Sequence, residues 1–183
     1  DNPSKHNAFD DQIIAQLTDA FSAVAANSNV RVMVLASEGK SFSAGADLDW
    51  MKRMASYSYD ENLQDARALA LMLQTLKTMP QPTIARIQGA VFGGAVGLVS
   101  CCDIAVAATV ATFSLSEVKI GLVPATVSPY VIEAIGARAA RRYFMTAERF
   151  SAQTAKHIGL LSEVIGPENL DKQIGLLIDA LLA

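Results

Sequence analysis

Charge is scarce in this chain, and what there is does not cluster. Of 183 residues, 18% are Asp, Glu, Lys or Arg against 51% apolar, and the formal net charge is −3. Lys and Arg never occur more than two in a row, so the basic stripe that nucleic acid needs is missing and no nucleic-acid partner is expected. Apolar runs stop well short of the roughly 20 residues of a membrane-spanning helix, and the opening residues lack a secretory-signal pattern, so no membrane partner is expected either. Cysteine is nearly absent. Cys101 and Cys102 are the only two, and as sequence neighbours they are poorly placed for a mutual disulfide. They read as small buried hydrophobes in a chain suited to a reducing, cytoplasmic compartment. Repeats, low-complexity tracts and dividing linkers are lacking too. The length suits one domain, 1–183, with a real core. Abundant apolar residues with few charges imply extensive burial, including surface given to an oligomer interface.

What is present is organised around Pro82–Glu117. The β-branched run Thr83–Ile87 reads as a buried strand. The chain then turns through Gly89, and the pair Gly93-Gly94 opens a small-residue helix, Ala95–Ser100, before a second strand, Ile104–Ala108. A glycine pair at a strand-to-helix junction lets a ligand reach bare backbone, and the helix start directs free N–H groups at it. Such a place suits an anion, or an oxygen that becomes one during a reaction. Beyond it Glu117 stands alone, with Asp103 the sole acidic residue between them.

In chain order, Asn2–Asn7 is polar and turn-forming. Asp10 can cap a helix whose apolar positions Ile13, Ile14, Leu17, Phe21 and Val24 recur at helical spacing. Val30–Leu35 reads as a strand, placed near a sheet edge by Arg31, and Ser37–Ser43 as a loop. A second small-residue helix start follows at Ala44-Gly45-Ala46-Asp47, leading into a helix to Met54 with Leu48, Met51 and Met54 on one face. A long helix covers about Asp60–Thr78, and Met79–Pro82 ends it. After Glu117, Val118–Pro124 reads as a loop closing back toward the site. Helices Val127–Ile135 and Ala137–Ala147 flank Gly136. Ser151 caps a short helix, Ala152–His157. A strand, Leu160–Ile165, and a helix, Glu168–Leu182, complete an α/β pattern.

Two Gly/Ala helix starts could place the Ala46 and Gly94 amides on one oxygen, as an acyl-thioester enolate requires. They could equally be two tight turns where helices pack closely on strands, and spacing alone favours the turns. Ser41–Leu48 (SFSAGADL) and Gly89–Gly94 (GAVFGG) resemble the two signature segments of the crotonase (enoyl-CoA hydratase/isomerase) superfamily. Cys102–Ala105 and Phe113–Gly121 continue the resemblance in order and spacing, over essentially the whole chain.

The resemblance implies a crotonase-like spiral of ββα units, assembled as a trimer or a dimer of trimers. It implies that Ala46 and Gly94 hold the thioester oxygen and that Glu117 is the second of two catalytic glutamates. Lys5, His6 and Ala8, with Ala44, Asp47 and Leu48, match the region that wraps coenzyme A. That coenzyme is part of the substrate, and no separate cofactor is expected. Trp50, Met51, Met54, Gly93 and Gly97 are candidates for the acyl pocket. The first catalytic glutamate of two-acid hydratases falls at Gly97 here, leaving one carboxylate. The family's first strands and its C-terminal helices fall outside the matched residues.

The implied activity is hydration of an α,β-unsaturated acyl-CoA. Asp47–Met54, Gly121–Tyr130 and Ala140–Phe150 resemble bacterial hydratases acting on 3-methylglutaconyl-CoA-type thioesters of leucine or isoprenoid catabolism. Glycine at 97 would remove negative charge and open space for a branched acyl group with its own carboxylate. A single Glu could alternatively isomerise a 3-enoyl to a 2-enoyl thioester, and a non-catalytic CoA-binding homologue is a third reading. Lys119, Arg141 and Arg142 read as solvated, and His157 as structural.

Overall fold

The computed structural model describes residues 1–183. A 3-10 turn (Pro3–Lys5) leads into α1 (Asp11–Ala26), β1 (Met33–Leu35), β2 (Ser41–Ser43), α2 (Leu48–Met54) and α3 (Tyr59–Lys77). Next come β3 (Thr83–Ile87), β4 (Ala90–Phe92), α4 (Gly94–Cys101), β5 (Ile104–Ala108) and β6 (Thr112–Ser114), then a 3-10 turn at Glu117–Ile120. The chain finishes with α5 (Ser128–Thr146), β7 (Phe150–Ser151), α6 (Ala152–His157), β8 (Glu163–Ile165) and α7 (Leu170–Leu182).

Strands alternate between two sheets. One has the order β1-β3-β5-β8 and the other β2-β4-β6-β7. Each ββα turn therefore adds one strand to each sheet. Pairing is parallel throughout except between β6 and β7.

Strand periodicity decides what faces what. In β3 and β5, Ala85, Ile87, Ala105 and Ala107 point into the main core, while Ile84, Val106 and Ala108 point the other way. The second face is covered by Leu170 and Ile174 of α7, which is why both strands read as continuous apolar runs rather than alternating ones. Asp103, between α4 and β5, accepts from both the N–H and the hydroxyl of Thr83, each at 2.8 Å, locking the start of β3 to the turn before β5.

Most elements match the sequence pattern, and the cap at Asp10 is made by its side chain to the Ile13 N–H. Arg31 does precede an edge strand, although β1 begins only at Met33. The expected helices on either side of Gly136 are both present within α5, separated by the non-helical backbone of Gly136 at φ +74° and ψ +155°. Ser37–Ser43 is corrected: its end is β2, a three-residue strand whose Ser41 and Ser43 pair with Ala90 and Val91 of β4, far along the sequence. The apolar face expected of α2 is corrected as well. Leu48 is 70% exposed, and Trp50 is the buried residue. The larger indole wins the core position, and its N–H donates to Asp65 of α3 at 3.1 Å. No helix is long and apolar enough to cross a membrane.

Candidate functional site

Three neighbouring parallel strands, β2, β4 and β6, end on the same edge of their sheet. Past these ends lie the Ala44–Asp47 segment, the Gly93-Gly94 pair and Glu117 respectively. The topology thus delivers residues from three distant parts of the sequence to adjacent tips.

The first two tips touch backbone to backbone. Gly45 has φ +85°, and a Cβ on it would lie 2.5 Å from the Phe92 carbonyl oxygen and 3.5 Å from Gly93 Cα. The second and third tips are tied by the Gly93 N–H, which donates to the Ser114 carbonyl at 2.8 Å. Gly93 itself has φ +54° and ψ −131°, a backbone region open essentially to glycine alone. Glu117 Oε1 lies 3.5 Å from where a Cβ on Gly93 would stand.

Two amides at this edge are uncommitted. The Ala46 N–H donates to no backbone carbonyl. Gly94 opens α4, where first-turn N–H groups find no partner inside the helix, and no hydrogen bond outside the helix uses it. One oxygen of Glu117 is uncommitted too. Its Oε2 is buried without a hydrogen-bond partner. Burial pushes its pKa up, its own backbone amide pulls weakly the other way, and no charged side chain contributes.

The opening segment clamps the first tip. Phe9 donates its N–H to the Gly45 carbonyl and accepts from the Asp47 N–H, both at 2.9 Å, and the Ala44 N–H donates to the His6 carbonyl. Lys5 Nζ lies 2.9 Å from Asp47 Oδ2. Asp47 Oδ1 meanwhile caps α2 by accepting from the Asp49 and Trp50 amides at 2.9 and 3.1 Å. The Lys5 hydrogen bond, followed by the Trp50 amide, holds the Asp47 carboxyl below its ordinary value of 3.8. Its stabilising contribution is full above that value and drains away as pH falls through the lower folded-state value. Asp47→Ala is expected to cost about 1–2 kcal/mol at neutral pH, the usual worth of such a cap. Urea melts should show the gap closing in strong acid.

Among the other residues expected around coenzyme A, Lys5, His6 and Leu48 are exposed and Ala8 is buried. His6 Nδ1 lies 3.1 Å from Ser41 Oγ, and the Asp47 carboxylate is already engaged. Met51 and Met54 are half-buried, Met54 against the core, while Trp50 is a packed core residue. Gly97 is corrected. It opens no space, because a Cβ there would lie 2.6 Å from Val127 Cγ1 and 2.9 Å from Val127 Cβ. Val118–Pro124 is corrected in part. The Leu122 N–H closes the turn onto the Glu117 carbonyl, but Val118, Ile120, Leu122 and Val123 are exposed.

Two neighbours were not singled out from the sequence. Phe9 Cζ lies 2.8 Å from where a Cβ on Gly94 would stand, and an aromatic between Asn7 and Asp10 in a polar turn was a usable signal. Val127 had none, because its importance depends on what Gly97 lacks.

Comparison with known proteins agrees with this geometry. The sequence profile of the family described as Enoyl-CoA hydratase/isomerase matches residues 1–183. The enoyl-CoA hydratase ACTT6 of Alternaria alternata is 36% identical over 162 residues, covering 88% of this chain and 52% of that protein. A Mycobacterium tuberculosis relative, (7aS)-7a-methyl-1,5-dioxo-2,3,5,6,7,7a-hexahydro-1H-indene-carboxyl-CoA hydrolase, is 34% identical over 91% of this chain and 66% of its own length. The chain thus spans between half and two thirds of these relatives. The crystal structure of an enoyl-CoA hydratase from Shewanella pealeana superposes with a TM-score of 0.95 at 47% identity, covering 98% of this chain and 67% of that one. With a matching profile along its entire length and three strand tips arranged as described, the chain belongs to the enoyl-CoA hydratase/isomerase family, with the crotonase fold.

Proposed function

We propose that this chain hydrates an α,β-unsaturated acyl-CoA. The observation that carries the reading is the buried Glu117 Oε2, without a hydrogen-bond partner, beside two strand tips with free amides. In this reading the Ala46 and Gly94 amides receive the thioester oxygen. Polarisation there makes the β-carbon electrophilic. Glu117 takes a proton from water as its oxygen bonds to that carbon, and the electron pair of the double bond moves onto the thioester oxygen as an enolate. Protonation of the α-carbon by Glu117 completes addition and restores the carboxylate. Each oxyanion donor supplies about 3–4 kcal/mol in comparable sites, and the acid–base group roughly 10²–10⁴-fold in rate.

Within that class we favour a branched acyl group bearing its own carboxylate, of the 3-methylglutaconyl-CoA type in leucine or isoprenoid breakdown. The support is the resemblance of Asp47–Met54, Gly121–Tyr130 and Ala140–Phe150 to hydratases acting on such thioesters. Assembly as a trimer or a dimer of trimers is supported by the exposed Val118, Ile120, Leu122 and Val123, which a second copy would cover. A second reading is favoured by the same lone carboxylate. Glu117 could carry a proton from C2 to C4 and isomerise a 3-enoyl thioester.

The test is to offer 3-methylglutaconyl-CoA, crotonyl-CoA and a 3-enoyl-CoA and follow the absorbance of the conjugated 2-enoyl thioester. Loss of signal with the first or second supports hydration. Gain of signal from the 3-enoyl substrate alone supports isomerisation. Thioester binding with no change in any of them overturns both.

A further inference from the structure

Val127 sits immediately before α5 and is 3% exposed. Its isopropyl group fills the volume that any side chain on Gly97 would enter, and Leu73 Cδ2 closes the same volume at 3.5 Å. Side chains on a helix lean toward its N-terminus, over the preceding turn. The volume beside Gly97 therefore lies along the first turn of α4, the turn that Gly94 opens. Close packing of this kind does not deform without cost.

We infer that Val127 is a specificity-determining residue, an apolar stopper along the first turn of α4 that limits acyl bulk on that side of the thioester. The inference rests on the acyl-thioester reading of the site. It assigns selectivity to a residue from the loop after the Glu117 turn, not to the α2 side chains. Of those, Trp50 belongs to the core and Leu48 to the surface. Shortening residue 127 would vacate volume beside the first turn of α4, and lengthening it would push the wall inward.

The experiment measures calorimetric Kd values for crotonyl-CoA and 2-pentenoyl-CoA, one methylene longer, in a Glu117→Gln background that suppresses turnover, with Val, Ala or Ile at 127 (Val127→Ala and Val127→Ile). A single methylene in an apolar pocket shifts discrimination roughly 10–200-fold. The pentenoyl-to-crotonyl Kd ratio should accordingly fall about tenfold in the Ala variant and rise in the Ile variant. A ratio unchanged in either variant that folds, judged by its melting transition, overturns the inference, so the two variants guard against one failing to fold. Binding selectivity is scored without turnover. A parent chain that binds both thioesters but hydrates neither them nor 3-methylglutaconyl-CoA would sink the proposed reaction and leave the ratio to decide Val127. A parent chain that binds neither overturns both.

Discussion

Replacing Glu117 by Gln lowers kcat by about 10²–10⁴-fold, the span expected for one acid–base group, with the Kd for acyl-CoA little changed. The amide keeps the shape and polarity of the side chain but can neither take a proton from water nor return one to carbon. Stability moves the other way. Because burial raises the Glu117 pKa, the folded chain holds that proton more tightly than the unfolded chain does. The resulting stabilisation is full below the ordinary Glu value of 4.5 and is lost as pH rises through the folded-state value. At neutral pH the buried carboxyl is a net cost relative to its acid form, and Gln removes it. Calorimetry should find the Gln variant melting above the parent at pH 7, with the difference vanishing near pH 4. A variant melting lower at pH 7 would mean that the carboxylate has stabilising partners. The parent's activity should climb with pH through the raised value, since the base form does the work. Such an opposition between function and stability is common where a buried charge serves chemistry.

Gly45→Ala has the second large effect, and it acts through backbone. The new Cβ would stand 2.5 Å from the Phe92 carbonyl oxygen on a residue with φ +85°. Strain of about 1–3 kcal/mol in that region and a similar overpacking term of about 1–3 kcal/mol add on one atom. Relief requires the two tips to separate, carrying the neighbouring Ala46 amide away from Gly94. A displacement near 1 Å is enough to lose roughly 10²-fold in rate. The variant should unfold at a visibly lower urea concentration and lose kcat/KM even where it remains fully folded. Normal kcat/KM in the folded variant would separate the Ala46 amide from catalysis.

The fold was largely readable because its long elements advertise themselves. Thr83–Ile87 and Ile104–Ala108 are buried on both faces, and α1 carries a clear apolar stripe. The strands that matter most for the site were the hardest to see. β2, β4 and β6 are three residues each, too short for a periodic signal, and their pairing is entirely long-range. Ala46, Gly94 and Glu117 could be picked out as residue types, but their convergence is a property of strand order. Gly97 shows the opposite limit. An absent side chain looked like free space, and a valine 30 residues later had taken it.

Hydrogen-bonded strands stand about 4.8 Å apart whatever their side chains, so the ladder of β2, β4 and β6 acts as a ruler for everything mounted at its end. Exchanging a residue at one tip alters the chemistry on offer without altering the gauge. A one-residue insertion in any of the three would turn its side chains to the opposite face and carry its mounted group off the scale. Diversification of such an edge is therefore expected to proceed by substitution at the tips, with strand length held fixed.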